Sequence, residues 1–209
     1  MKWIRTVLAG GLALMPWTSS AFQDVLGHGP PRKSQITDPS PARFSVCFQH
    51  SCAEIDHTSL DEDQWERVRD LFAPPPASAE EERHRIAAAI AYLEVEIGKQ
   101  INSLDDRGGN FEGVLATGNQ LDCVDESTNS TTYLTMMERD RLLRFHRVEP
   151  RATRARNSFF VIGWPHSTAV VTDVTNGEQW AVDSWFLNNG EPPAIVPLPQ
   201  WRSGWEPGA

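Results

Sequence analysis

Beyond its N-terminal stretch, the chain has no apolar run long enough to cross a bilayer, which excludes a multi-span membrane protein. Its 15 prolines and 14 glycines follow no period, and no repeat recurs at solenoid spacing. Collagen-like, low-complexity and repeat architectures are therefore excluded. Basic residues are scarce: 19 Lys and Arg face 28 Asp and Glu, for a net charge of −9. A surface of that sign is repelled by nucleic-acid phosphates and anionic lipid headgroups, so neither is an expected partner. Cysteine is scarcer still, with three in 209 residues. Core-forming residues are not short: 40% hydrophobic and 22% charged is ordinary for one folded domain of this length.

Lys2 and Arg5 precede an apolar stretch from Val7 to Met15; Pro16 then breaks the helix, and Ser19-Ser20-Ala21 supplies small residues. This is the layout of a secretory signal peptide, residues 1–21, cleaved after Ala21. Its removal makes the chain more acidic and leaves no integral membrane segment. The expected location is outside the cytoplasm, periplasmic or secreted. Residues 22–42, with Pro30, Pro31, Pro39 and Pro41, read as an extended leader to a single domain over 43–209. In an oxidising compartment Cys47 and Cys52 close a small disulfide loop and Cys123 is left as the free thiol. The neighbouring His50 and His57 allow a rival zinc site with that pair.

Capping patterns at Ser59-Leu60-Asp61-Glu62 and Ser78-Ala79-Glu80-Glu81 open two helices. Leu60, Trp65, Val68 and Phe72 form the apolar side of the first, which stops at Pro74-Pro75-Pro76. Ile86, Ile90, Leu93 and Ile97 form that of the second. Residues Asn102 to Gly118 read as a loop, and Cys123 to Asp140 as a third helix with Tyr133, Leu134 and Met137 inward. Short β-branched and aromatic runs follow: Leu142–Val148, Ser158–Trp164, Ser167–Asp173 and Glu178–Trp185. Pro192 to Pro199 and the tail after Trp201 read as a surface wrap. Helices first and strands second predict an α+β fold with N-terminal helices packed on a C-terminal antiparallel sheet.

Cys123 stands at a helix start, where free N–H groups favour a thiolate. A cysteine nucleophile needs a base, and the base needs a group to orient it. His166 and Asp183 are the candidates, with His146 as a substitute base expected either at the surface or behind the site. A two-residue hairpin loop at Asn176-Gly177 sets Asp183 opposite Val170, about 13 Å along the strand from His166. A wider turn, shifted by two or four residues, keeps both side chains on one face and brings them together. A Cys123–His166–Asp183 set therefore predicts a turn longer than two residues.

The order Cys, His, Asp on helix start, strand and next strand resembles the transglutaminase-like branch of the papain-type superfamily, including bacterial transglutaminase-like cysteine peptidases. The likeness covers Gln120 to Trp185, about a third of the chain. It implies a transglutaminase-like papain-type core and a thiol amide hydrolase, a peptidase, amidase or transamidase acting on a peptide or protein amide through a thioester. It further implies Cys123 as nucleophile, His166 as general base and acid, and Asp183 as the group that orients the imidazole. Gln120 stands where a side-chain amide joins the Cys123 N–H as oxyanion donor. No cofactor is expected. NlpC/P60-like cell-wall peptidases also place Asp-Cys at a helix start before a strand His, and a non-catalytic exported binding module on the same fold is the remaining alternative. Asp122, Asp125 and Glu126 flank Cys123 and form a weak calcium candidate, although acids also suit the first turn of a helix without metal. Trp164 and Trp185 are candidate walls of a substrate cleft. Asn129-Ser130-Thr131 fits a glycosylation acceptor but falls inside the predicted helix.

Overall fold

Both capping patterns deliver helices, the first shifted by two residues. In the computed structural model, which describes residues 33–109, 120–158 and 161–208, helix α1 spans Glu62–Leu71 and is capped by Asp61 rather than Ser59. The Asp61 carboxylate accepts the Gln64 N–H at 2.8 Å, and the Gln64 side chain accepts the Asp61 N–H at 2.9 Å. Helix α2, Ala79–Ile101, is capped by Ser78 as expected and ends at Asn102 in the left-handed region. Its stripe of Ile86, Ile90, Leu93 and Ile97 is buried, each side chain contributing roughly 1.5–3 kcal/mol of apolar transfer. Helix α3, Cys123–Arg139, meets that stripe with Tyr133, Leu134, Met136 and Met137.

Two antiparallel sheets accompany the helices. Strands β1 (Phe44–Phe48) and β2 (Glu54–Thr58) form a hairpin absent from the sequence reading. Its connection is closed by the expected Cys47–Cys52 disulfide and runs through four consecutive residues of positive φ, Gln49 to Cys52. Residues 33–42 lie beside it: Ile36 N–H donates to Ser45 Oγ at 2.8 Å, and Lys33 pairs with Asp56. The second sheet has the order β3 (His146–Ser158), β4 (Val161–Asp173), β5 (Gln179–Asp183), β6 (Ala194–Pro197). Ala169, Val171 and Val182 on one face join the helical core. Ala152, Val170 and Ala181 pack with Leu198 and Trp201 of helix α4, Leu198–Arg202. The chain is thus α+β, with helices on an antiparallel sheet.

Three local expectations are corrected. Ser158 ends β3, whereas Val161–Trp164 and Ser167–Asp173 are one strand that passes through Pro165. The proline is tolerated because β5 ends at Asp183, short of the point where a ladder would need its N–H. The supposed wrap at 192–199 carries β6 and the start of α4, which buries Leu198 and Trp201 against the sheet. His146 is not at the surface: it is buried, with Nδ1 2.9 Å from Glu82 Oε1. Glu82 also accepts the N–H groups of Arg144, Phe145 and His146, so this histidine is part of a structural clasp.

The predicted signal peptide, leader residues 22–32 and most of the loop before Gln120 lie outside the described residues. Among the described residues no helix is long and apolar enough to cross a membrane. That observation and the disulfide are compatible with an exported protein.

Candidate functional site

The position of His166 and Asp183 follows from the β4–β5 register. Asp173 N–H donates to Glu178 O at 2.8 Å, so four residues, Val174 to Gly177, make the loop. Gly177 takes a positive φ of 77°, and the register pairs Ala169 with Val182 and Val170 with Ala181. Compared with a two-residue loop this is a shift of two. Asp183 falls one same-face step from His166. The two meet: His166 Nε2 lies 2.7 Å from Asp183 Oδ2. Both are buried, at 2% and 1% exposure.

One donor was not foreseen. Trp201 Nε1–H donates to the same Asp183 Oδ2 at 2.6 Å. The available signal was general: a buried indole N–H seeks an acceptor, but eight tryptophans leave the choice open. Trp185, Phe186 and Trp201 surround the imidazole, with ring centroids 4.8, 5.0 and 5.5 Å away. Trp185 is buried beside His166, whereas the side chain of Trp164 lies outside the described set. With Nε2 directed at a carboxylate, the imidazole carries its proton on Nε2 and presents Nδ1 as a lone pair. Nδ1 is buried and has no hydrogen-bond partner among the described residues.

Cys123 arrives from the helix start. Asp122 caps α3 by accepting the N–H groups of Val124 and Asp125, both at 2.9 Å, and Asp125 occupies the capping-box position. The sulfur sits on the β4 edge, on the backbone either side of His166: it accepts the Ser167 N–H and lies 3.7 Å from Pro165 O. It makes no hydrogen bond to Nδ1. Cys123 is 5% exposed. Burial pushes its thiol up to about 11, with Asp122, Asp183 and Glu126 acting in the same direction and the Ser167 N–H opposing them. The expected thiolate is therefore not the resting form. Desolvation and neighbouring carboxylates outweigh the helix terminus.

Gln120 is turned toward the preceding loop, donating Nε2 to Asp105 O at 3.0 Å and accepting the Arg107 N–H at 3.1 Å. That loop is pressed against the segment after β5: Gly109 N–H donates to Trp185 O at 2.6 Å, and a Cβ on Gly108 would fall 2.3 Å from Phe186 O.

The acids near Cys123 divide into two groups. Asp122 Oδ2 accepts the Ser51 N–H at 2.7 Å and Asp125 Oδ1 the Cys52 N–H at 2.6 Å, which staples the disulfide loop onto α3. Asn129 extends the staple, exchanging two hydrogen bonds with the Cys47 backbone at 2.7 and 2.9 Å. Burial raises the Asp125 carboxyl to about 7. His50, Asp122 and Asp125 offer ligand atoms within 4.8 Å of one another, the one such group among the described residues. Their carboxylates already accept N–H donors. The zinc alternative through cysteine is removed by the Cys47–Cys52 bridge.

Glu126 does not join Asp122 and Asp125 as the calcium candidate supposed. It bonds Asp106 and Ser184, and Glu94 approaches from α2. The Glu94 carboxyl accepts the Gly190 N–H at 3.2 Å and a bond from Ser184. Burial drives all three carboxyls upward, Glu94 to about 8 and Glu126 well above the usual range; Asp106 raises both glutamates and Glu94 raises Glu126, while the hydrogen bond from Glu126 pulls Asp106 down. Glu94 and Glu126 line a cavity of about 10 Å³ with Ser103, Tyr133 and Asn189, room for one water-sized particle.

No protein-family model, curated protein or solved structure matches the chain.

Proposed function

We propose that the chain is an exported thiol-dependent amide hydrolase with a transglutaminase-like papain-type core, in which Cys123, His166 and Asp183 act together. The observation that carries this reading is the buried Nδ1 of His166, which has no hydrogen-bond partner among the described residues while Nε2 is oriented by Asp183. It belongs to the one residue whose flanking backbone holds the Cys123 sulfur. Buried polar atoms are ordinarily hydrogen-bonded, and although His50 Nε2 is bare as well, only His166 pairs a bare nitrogen with a carboxylate on the other and with Cys123 beside its backbone.

Because the resting thiol is neutral, the reaction needs a base at the moment of attack. His166 Nδ1 takes the Cys123 proton while the sulfur bonds to an amide carbonyl carbon. The tetrahedral oxyanion then collapses, the C–N bond breaks, and the imidazolium returns the proton to the leaving amine. Water, deprotonated by His166, attacks the thioester and releases the carboxylic acid and the thiol. An amine in place of water yields a transamidated product. Asp183 stabilises the imidazolium without itself gaining a proton. Gln120 is assigned no direct part while both ends of its amide engage residues 105 and 107.

Cys123 burial and its raised thiol favour a second reading, a non-catalytic exported module in which these groups only pack. Iodoacetamide alkylation across pH 6–11 separates the two. The hydrolase requires alkylation of Cys123 near neutral pH that falls at least tenfold in His166→Ala. A rate that climbs only toward pH 11 and ignores that substitution refutes catalysis.

A further inference from the structure

We infer that the C-terminal segment 198–205 is a positioning element for the site, with Trp201 as the residue that holds Asp183, and through it His166, in the working orientation. The inference rests on the proposed hydrolase reading for its purpose, but its geometry is independent of it. Asp183 is the last residue of β5, where the ladder ends, and a carboxylate there is free to turn about its Cα–Cβ and Cβ–Cγ bonds unless something fixes it. Two donors converge on one oxygen: His166 Nε2 at 2.7 Å and Trp201 Nε1 at 2.6 Å. The indole is rigid and fully buried, so its N–H defines where Oδ2 must lie. His166 can then satisfy that oxygen only with Nε2, which leaves Nδ1 as the base.

Trp201 is itself held. Arg154, buried on β3, donates to the Trp201 and Trp205 carbonyls, and its guanidinium stands 4.6 Å above the Trp201 ring. Leu198 fixes the start of the same helix on Val170 and Ala181. The hold on the indole therefore runs from a strand two places away in the sheet. A buried arginine that donates to two carbonyls of one short tail restrains that tail. Trp201 packs on the imidazole and bonds the carboxylate but exchanges no proton in the proposed step, so its role is positioning.

The test is Trp201→Phe, which keeps an aromatic ring and removes the N–H, examined by ¹H–¹⁵N NMR of the imidazoles and by iodoacetamide rate against pH. The expected results are faster solvent exchange of the His166 Nε2–H, a mixed Nδ1–H/Nε2–H tautomer population, and neutral-pH alkylation reduced roughly tenfold, the scale of one charge-assisted hydrogen bond. An unchanged tautomer and an unchanged pH profile overturn the inference. Should Trp201→Phe fail to fold, Asp183→Asn decides: the Trp201 indole N–H resonance and the His166 tautomer must both change in it, and a resonance and tautomer that stay as in the unaltered protein overturn the proposal. Failure of the hydrolase reading is recognised separately, by wild-type alkylation that does not respond to His166→Ala while the tautomer shift in Trp201→Phe persists.

Discussion

Three carboxyls converging on one another beneath the first turn of α3 impose a pH dependence opposite to that of most small proteins. Glu94→Gln isolates it. The glutamate titrates near 8 in the fold against about 4.5 when exposed, because burial and the Asp106 carboxylate disfavour its charge. The folded state therefore prefers the proton. Its stabilisation is complete below pH 4.5, declines as pH rises through 8, and is gone above. At about 1.36 kcal/mol per pH unit the gap corresponds to at most roughly 5 kcal/mol. Glu94 is half-buried and shares protons with Glu126 and Asp106, so about 2–3 kcal/mol is the reasonable share for one substitution. Glutamine retains an acceptor for the Gly190 N–H and carries no charge. Urea unfolding at pH 5 and pH 8.5 provides the assay. Wild type should lose stability between them, and Glu94→Gln should lose about 2–3 kcal/mol less, with equal m-values. A variant as pH-sensitive as wild type, or a wild type that gains stability toward pH 8.5, would show that the cluster is solvated or cation-paired and refute the reasoning.

Two further outcomes are expected. Thiol titration of the denatured, unreduced mature protein should count one thiol, since Cys47 and Cys52 are bridged, and a count of three excludes the bridge. Asn129→Ala strands a buried N–H and a carbonyl of Cys47, so denaturant unfolding should report a loss of about 2–4 kcal/mol; a loss under 1 kcal/mol would mean water replaces the amide.

The legible parts of the chain are those whose physics is local. The stripe at Ile86, Ile90, Leu93 and Ile97 has helical period, and Ser78 and Asp122 sit where caps must. The His166–Asp183 contact was readable as a condition, because face alternation and turn length together fix which residues can meet. What escaped is non-local or hidden by residue type. The β1–β2 connection uses Gln49, His50, Ser51 and Cys52 in conformations that glycine or asparagine ordinarily marks, so no turn signal announced the hairpin. Trp201 reaches Asp183 only after α4 has folded back over the sheet. Glu126 reads as an ordinary first-turn acid, and nothing near it in sequence indicates that Glu94 and Asp106 face it. The thiol followed the same rule: helix position favours its anion, but three-dimensional burial decides against it.

The early end of β5 gives Pro165 a meaning beyond its awkwardness in a strand. Continued by one residue, the ladder would set Ser184 across from Ser167 and take its amide hydrogen. Pro165, lacking such a hydrogen, offers nothing to lengthen that zipper further, and Ser184 veers off toward Ser130, 3.5 Å away. The notch left at the margin of the sheet is the seat of the sulfur. Strand length and thiol placement are thus one quantity in this fold: two more rungs on β5 would evict Cys123.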